Sequence, residues 1–142
     1  MAVDPLPSEI HLEIATPDRQ VVRDSVTAVS VPGKEGELGI LPGHAPLLSL
    51  LKVGELFYRQ GNLTHFLAIN WGFVEVLPDR VIILAQTAER AEEIDVERAK
   101  RAKERAEGRL SKVSDSEVDL ERARIALERS MIRLQVAGRV RM

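Results

Sequence analysis

The sequence predicts an α+β protein in which an N-terminal antiparallel β-sandwich is followed by a C-terminal antiparallel two-helix hairpin. Two observations predict this division. All 7 prolines and all the aromatic residues lie in residues 1–87, and residues 88–142 contain neither. Apolar residues recur with a period of two in the first segment and in steps of three and four in the second. We therefore predict two domains, 1–87 and 88–142, with a boundary close to Thr87.

The first domain is predicted to consist of short strands joined by turns. Ile10, Leu12 and Ile14 alternate with other residues, as in a strand with one buried face. Turn-forming residues separate this stretch from others with apolar alternation, at 26–31, 56–58, 63–69, 73–77 and 81–85. Many short strands at close spacing indicate a β-sandwich or a flattened barrel. Because no helical crossover is available between them, a doubly wound parallel sheet is not expected.

The second domain is predicted to form two helices. Asp95 is a candidate N-cap of the first helix, and Ser116, followed by Asp119, can open the second. The connection at 111–115 is short, so the helices should form an antiparallel hairpin. The predicted apolar stripes are Ala99, Ala102, Ala106 and Leu110 on the first helix and Leu120, Ala123, Leu127, Met131 and Leu134 on the second. Alanine buries little apolar area, so we expect a movable hairpin that depends on another surface.

The two domains differ in charge. The net charge of −2 combines −4 over residues 1–87 with +2 over residues 88–142. Residues 122–142 hold six arginines and one acidic residue, Glu128, so the last helix is strongly cationic. A nucleic-acid-binding adaptor is one interpretation of these basic helices. The acidic first domain and the Glu residues interspersed with Arg in the first helix argue against it, because phosphate backbones favour a consistently basic face.

Several kinds of site are not expected. The absence of cysteine excludes disulfides, thiolate metal sites and cysteine nucleophiles. His11, His44 and His65 lack the spacing of metal ligands, and no phosphate-binding loop or nucleophile–base arrangement can be assembled. No catalytic and no metal-binding residue is therefore predicted. No apolar run approaches the length of a membrane span and the N-terminus lacks a signal-peptide pattern, so we expect a protein that is neither membrane-spanning nor secreted.

The segment 35–48 combines three glycines and two prolines around an apolar tip. Its residues alone are compatible with two turns flanking a strand, or with an exposed apolar loop that serves as an interface. The run GELGILPGHAPLL within it resembles the signature of the epsilon subunit of bacterial-type F-type ATP synthases. The resemblance continues through 72–76 and 81–85 into 88–95, and covers most of the chain from His11 to Leu134.

This resemblance implies a non-catalytic central-stalk subunit that couples proton flow to ATP synthesis. It implies a sandwich of about ten strands in two sheets. That sandwich would bind the gamma subunit and contact the rotor ring of c subunits. The protein would be peripheral, on the cytoplasmic face of the bacterial plasma membrane. The rotor-ring interface implied by the resemblance consists of Glu37, Leu38, Gly39, Ile40, Leu41, Pro42, Gly43 and His44.

The segment 94–99 has two interpretations. Its residues predict a helix start, with an N-cap aspartate and an acidic first turn that suits the helix dipole. The resemblance implies a regulatory ATP site, with no cofactor required, formed by Glu89, Ile94, Asp95, Arg98, Ala99, Arg105, Arg129 and Arg133. Guanidinium groups suit phosphate oxygens, which makes this set chemically coherent. A free-standing ATP-binding sensor or adaptor is the alternative that these arginines leave open.

The resemblance also implies two states of the helical tail. A folded hairpin permits turnover, whereas a tail extended along gamma reaches the alpha and beta subunits of the catalytic head and blocks ATP hydrolysis. The residues implied to contact the beta subunits are Arg122, Arg124, Arg129 and Arg133. Attraction of this kind between opposite charges is expected to be sensitive to salt.

Overall fold

The structure is a computed structural model that describes residues 6–112 and 117–141. It divides the chain into two compact units, which meet between Glu89 and Arg90. The predicted N-cap Ser116 and the connection at 113–116 lie outside the described residues.

The first unit contains eight strands. They are β1 (Ile10–Ala15), β2 (Gln20–Val26), β3 (Ala28–Gly33), β4 (Gly36–Ile40), β5 (Leu47–Leu51), β6 (Gly54–Gln60), β7 (Leu63–Leu77) and β8 (Arg80–Arg90). The strand order is β2-β1-β8-β7-β5-β3-β4, and β6 pairs with both β3 and β7. β1 pairs with β2 in antiparallel orientation and with β8 in parallel orientation. The prediction was a purely antiparallel arrangement, and the pairing of β1 with β8 departs from it.

β7 explains why fewer than the expected ten strands are present. The two predicted strands at 63–69 and 73–77 are parts of this one long strand. Its first part, Leu63–Ile69, pairs with β6, and its second part, Gly72–Val76, pairs with β5. Between them Trp71 has a φ of 46°, and it is the one non-glycine residue of the described chain with positive φ. This residue therefore marks the point at which β7 changes from one neighbouring strand to the other.

The core of the first unit follows the predicted alternation. Ile10, Leu12 and Ile14 on β1 are fully buried, as are Val74 and Val76 on β7. The pattern does not reveal β5, because its five residues include four leucines and so show no alternation. Burial on one face accounts for strands such as β1, whereas β5 carries apolar side chains on both faces.

The second unit is helical. A 3-10 turn at Ala91–Glu93 leads into α1 (Val96–Ser111) and α2 (Glu117–Ala137), and a second 3-10 turn follows at Gly138–Arg141. Asp95 accepts a hydrogen bond from the backbone N–H of Arg98 at 3.1 Å, which confirms the predicted N-cap. Neither α1 nor α2, the two long helices of the described part, has an apolar stretch of the length that a bilayer crossing requires.

The two helices pack against each other through small residues. Ala99 and Ala106 are buried on α1, and Ala123 and Ser130 are buried on α2, each pair seven residues apart. In an antiparallel pair of helices joined by a short connection, the buried residues nearest the connection, Ala106 and Ala123, are expected to lie level, and so are Ala99 and Ser130. We infer that these four residues form the seam and allow a close approach of the helices.

One residue of the apolar stripe predicted for α2 is exposed. Met131 was predicted to lie on the apolar stripe, but its side chain is 50% exposed and Ser130 is buried instead. The Ser130 hydroxyl donates to the carbonyl of Leu127 at 2.8 Å, so this polar group is satisfied within its own helix. Ser130 lies seven residues, or about two helical turns, beyond Ala123. A small residue on the same face of α2 is therefore buried at this position.

We predict that Gly108→Ala stabilises the protein. Gly108 lies inside α1, and an added Cβ would meet no atom within 4 Å. Alanine should raise the free energy of unfolding by about 0.5–1 kcal/mol, because glycine loses more backbone entropy on folding. Gly61→Ala is the matched control, since its added Cβ is equally unhindered but its φ is 61°. That variant should be destabilised. Urea unfolding followed by circular dichroism measures both, and a less stable Gly108→Ala variant would contradict the prediction.

Candidate functional site

The predicted ring-contact segment, 37–44, belongs to two structural elements. Glu37 to Ile40 lie on β4, and Leu41 begins the loop 41–46. The loop is held in place by backbone hydrogen bonds, from Gly43 N–H to the Pro78 carbonyl at 2.8 Å and from His44 N–H to the Leu41 carbonyl at 3.2 Å. Gly43 has a φ of 84°, which glycine adopts readily. The loop and the turn at Pro78 therefore lie at the same end of the first unit.

Side chains of this segment differ in accessibility. Leu41 is 64% exposed, whereas Ile40 is 1% exposed. Leu38 is partly buried and packs against the core. In this structure the Ile40 side chain is therefore not accessible to a partner, because alternation along β4 directs it inward. Pro42, Gly43 and His44 are half-buried, while Gly39 and Glu37 are exposed.

Glu37 and Leu41 cannot contact the same point of a partner. The Ser30 hydroxyl donates to Glu37 Oε1 at 2.5 Å, and this bond holds the carboxylate against β3. Leu41 lies four positions beyond Glu37 along an extended backbone, a distance of about 13 Å. A partner that touches both must therefore cover the length of β4.

An apolar surface that the sequence pattern did not reveal lies on the outside of the sheet. We call it the outer apolar face, and it consists of Leu48, Leu50, Phe73 and Leu84. Leu50 is paired with Phe73, and Ala15 is paired with Leu84, so apolar residues form a row across neighbouring strands. Phe73 is 53% exposed and Leu84 56% exposed. Exposed apolar patches of this kind indicate an interaction site.

Phe73 stands between two hollows of the outer apolar face. The larger, of about 380 Å³, is lined by residues that include Pro17, Phe73 and Leu84. The smaller, of about 260 Å³, is lined by residues that include Leu50, Trp71 and Phe73. Such hollows can accept apolar side chains from a partner.

The predicted ATP-site residues are divided between the two units. Glu89 belongs to the first unit, and Arg90 begins the second. Ile94 and Ala99 are buried, so in this conformation neither side chain is accessible to an adenine ring. Asp95 is engaged as the N-cap of α1.

The predicted phosphate-binding arginines lie on both helices, Arg98 on α1 and Arg129 and Arg133 on α2. Since we infer that Ala99 lies level with Ser130, we expect the neighbouring Arg98 near the turn of α2 that carries these two arginines. Arg105 lies two helical turns from Arg98, about 10 Å along the axis. Arg98, Arg105 and Arg129 are exposed, and Arg133 is half-buried.

The cationic surface of α2 is partly neutralised within the helix. Arg124 Nη1 lies 2.9 Å from Glu121 Oε2, an ion pair between residues three apart. Arg122 and Arg129 are exposed and make no ion pair with any residue that the structure describes. Of the four arginines predicted to contact a beta subunit, these two are therefore the most available.

No metal centre is evident in the described part of the chain. Within residues 6–112 and 117–141, no group of three or more His, Asp or Glu side chains is placed to hold a metal ion. The functional features that the structure does provide are surfaces, namely the loop 41–46, the outer apolar face and the arginines of the helices.

Family models match both units in order. The model described as the beta-sandwich domain of the ATP synthase delta/epsilon chain matches residues 9–91. The model described as the long alpha-helix domain of the same chain matches residues 92–138.

Curated relatives carry the name ATP synthase epsilon chain. The chain is 46% identical over 131 residues to epsilon chain 2 of Syntrophotalea carbinolica, covering 92% of this chain and 95% of that relative. It is 58% identical over 100 residues to the epsilon chain of Koribacter versatilis, covering 70% of each.

Two solved structures are similar to this one. One comes from the Euglena gracilis mitochondrial ATP synthase, OSCP/F1/c-ring, with a TM-score of 0.79, 29% identity and coverage of 89% of this chain and 80% of that chain. The other comes from the central stalk/c-ring of the Tetrahymena thermophila mitochondrial ATP synthase, with a TM-score of 0.61 and 16% identity over 91% of this chain and 95% of that chain. The second shows a shared fold alone.

Proposed function

The chain belongs to the ATP synthase delta/epsilon chain family, and from this membership we propose that it couples proton flow to ATP synthesis as a non-catalytic epsilon subunit of a central stalk. The observation that carries the proposal is the match of both family domains, in the family order, over residues 9–91 and 92–138. A likeness of the sandwich alone would leave the tail unexplained. The full arrangement supports one protein with a coupling part and a regulatory part.

The proposed partners of the first unit are the gamma subunit and the rotor ring of c subunits. The exposed Leu41 side chain and the anchored loop 41–46 supply a firm apolar tip for the ring. The outer apolar face supplies a second surface on the same unit. Two separate surfaces are needed if the unit is to bind the gamma subunit and the ring at the same time. Through this complex the protein would lie peripherally on the cytoplasmic face of the bacterial plasma membrane.

The proposed role of the second unit is inhibition of ATP hydrolysis. Arg122 and Arg129 are exposed cations on α2, and they can approach acidic stretches of the beta subunits when the tail extends. The small-residue seam supports a hairpin that opens, because alanine and serine leave little apolar area to hold the helices together.

The function can be tested with an epsilon-depleted synthase head. Full-length protein and a chain ending at Arg90, the last residue of β8, are added back separately, and ATP hydrolysis and association are measured. We expect both chains to associate and only the full chain to inhibit. Failure of both to associate would remove the support for a stalk role and would favour the free-standing ATP-binding sensor.

A charge reversal on α2 should weaken inhibition. The double variant Arg122→Glu, Arg129→Glu replaces attraction to acidic beta-subunit surfaces by repulsion. We expect the concentration for half-maximal inhibition to rise by about tenfold at low salt, and by less at high salt. The control is Arg101→Glu, Arg109→Glu, which makes the same change in net charge at exposed positions of α1. Equal loss of inhibition in both double variants would contradict a specific role for α2.

We further propose that ATP is a regulatory ligand of the second unit. The exposed arginines at the level of Arg98 and Arg129 support phosphate binding, since guanidinium groups form strong charge-assisted hydrogen bonds. Because Ala99 is buried, adenine binding at this residue requires the helices to separate locally. No metal or other cofactor is part of this proposal.

Arg98→Ala should reduce ATP affinity by about tenfold or more, the loss expected for one charge-assisted hydrogen bond. Isothermal titration calorimetry with the full chain measures it. Arg101→Ala is the matched control, because Arg101 is also exposed on α1 but lies outside the predicted set. A wild-type chain that binds no ATP at millimolar concentration would rule out the regulatory ligand while leaving the coupling role intact.

A further inference from the structure

Trp71 adopts a backbone conformation that is unfavourable for its residue type. Its φ of 46° lies in the left-handed region, and the other described residues with positive φ are the glycines Gly36, Gly43 and Gly61. A bulky side chain in this region is disfavoured, because its Cβ approaches the backbone too closely. Glycine would adopt the same φ in β7 without this penalty.

The side chain of Trp71 does not compensate by filling the core. The indole is 42% exposed, so a large part of it remains in water. It lines the smaller hollow, together with Leu50 and Phe73. The stability of the isolated protein therefore gives no reason to place tryptophan at this position. Strained residues that persist without a stability benefit are found at binding sites.

The surroundings of Trp71 have the composition of a binding hot spot. The larger hollow beside Phe73 is almost wholly apolar, whereas the smaller one, which Trp71 lines, is mainly apolar but also includes Lys34 and Gln86. Tryptophan is among the residue types most enriched among anchors of interfaces. Glu75 lies two residues beyond Phe73 on β7, opposite the exposed Leu48. It is exposed and makes no ion pair with any described residue. A complementary partner presents apolar side chains to the hollows and a Lys or Arg to Glu75.

The position of this surface identifies the partner. The outer apolar face is continuous, through Leu48 on β5, with the loop 41–46 that we propose for the ring. A partner that covers the face therefore stands next to the ring. Among the proposed partners only gamma, the other component of the central stalk, fits this place.

We propose that Trp71 is the anchor of the contact with gamma, and that its unfavourable backbone is retained for binding at the expense of stability. This inference rests on the proposed function. It predicts that replacement of tryptophan by glycine lowers the affinity for gamma and relieves the backbone strain. Alanine separates the two effects, because it removes the indole but keeps the Cβ and hence the strain.

The test compares the wild type, Trp71→Gly and Trp71→Ala as full chains. Binding to an epsilon-depleted head that contains gamma gives the affinity, and thermal unfolding gives Tm. We expect both variants to bind at least about 30-fold more weakly, the loss typical of a truncated hot-spot tryptophan. The Tm of Trp71→Gly should exceed that of Trp71→Ala by about 4–8 °C, since only glycine relieves the strain. Leu63→Ala, an exposed leucine outside the outer apolar face, should bind as the wild type does.

Each other outcome has a defined meaning. Wild-type affinity in either Trp71 variant overturns the anchor role. A Tm for Trp71→Gly that is no higher than that of Trp71→Ala overturns the claim that backbone stability is given up for binding. Failure of the wild type itself to bind the head overturns the proposed function, and this inference with it. This outcome can be distinguished from the others, because binding is then absent without any substitution.

Discussion

Gly72→Ala is expected to destabilise the first unit by about 3 kcal/mol or more, which is a large fraction of the free energy of unfolding of a typical domain. An added Cβ at Gly72 would lie 2.0 Å from the Leu84 carbonyl oxygen and 2.8 Å from the Ala85 Cα. Both obstacles are backbone atoms of β8, which cannot move without breaking the sheet. The cost is therefore steric and follows from the close approach of the two strands rather than from any lost contact.

Chemical unfolding followed by tryptophan fluorescence would measure this effect, since Trp71 is the neighbouring residue. Gly39→Ala is the control, because it also adds a methyl to a strand glycine but meets no atom within 4 Å. We expect that control to change the free energy of unfolding by less than about 0.5 kcal/mol. A Gly72→Ala variant as stable as this control would show that β7 and β8 are farther apart than described.

Ala106→Leu is expected to destabilise the helical hairpin by about 1–3 kcal/mol. Ala106 is 1% exposed and is one of the four residues that we infer to form the seam, so the larger side chain has no space unless α1 and α2 separate. If the tail inhibits in its extended form, weakening the folded form shifts the population towards inhibition. We therefore expect Ala106→Leu to unfold more readily and to inhibit ATP hydrolysis more strongly than the wild type.

Glu107→Leu separates packing from added hydrophobicity. It places the same side chain at the next position of α1, which is exposed. Unfolding of the helices, followed by the helical circular dichroism signal, and inhibition of ATP hydrolysis in the add-back assay would be measured for both variants. Weaker inhibition by Ala106→Leu, with its helices loosened, would contradict the proposal that an extended tail is the inhibitory form.

Local chemistry made part of this fold predictable. The alternation at Ile10, Leu12 and Ile14 identifies β1 because that strand has one buried and one exposed face. The cap at Asp95 is predictable because an aspartate before a helix satisfies a backbone N–H by itself. Both features depend on residues close in sequence.

Features that depend on distant residues were missed. The outer apolar face was not predicted, because Phe73 and Leu84 occupy outward positions where alternation leads one to expect polar residues. The positive φ of Trp71 was not predictable from local sequence, because it lies where β7 exchanges one neighbour, β6, for another, β5. The inward direction of Ile40 depends on the register of β4 with β3, which the motif does not contain.

The place of β1 in the sheet also bears on biosynthesis. β1 lies between β2 and β8 in the sheet. It forms the first hairpin of the unit with β2, and β8 is the last strand of the unit. During synthesis β1 emerges from the ribosome early. The edge of β1 that pairs with β8 stays without a partner strand until residues 80–90 have emerged. Closure between segments so far apart in sequence is slow, in the range of milliseconds to seconds. A nascent or prematurely terminated chain that lacks β8 therefore presents an unpaired strand edge, and such an edge readily recruits a second chain into aggregates.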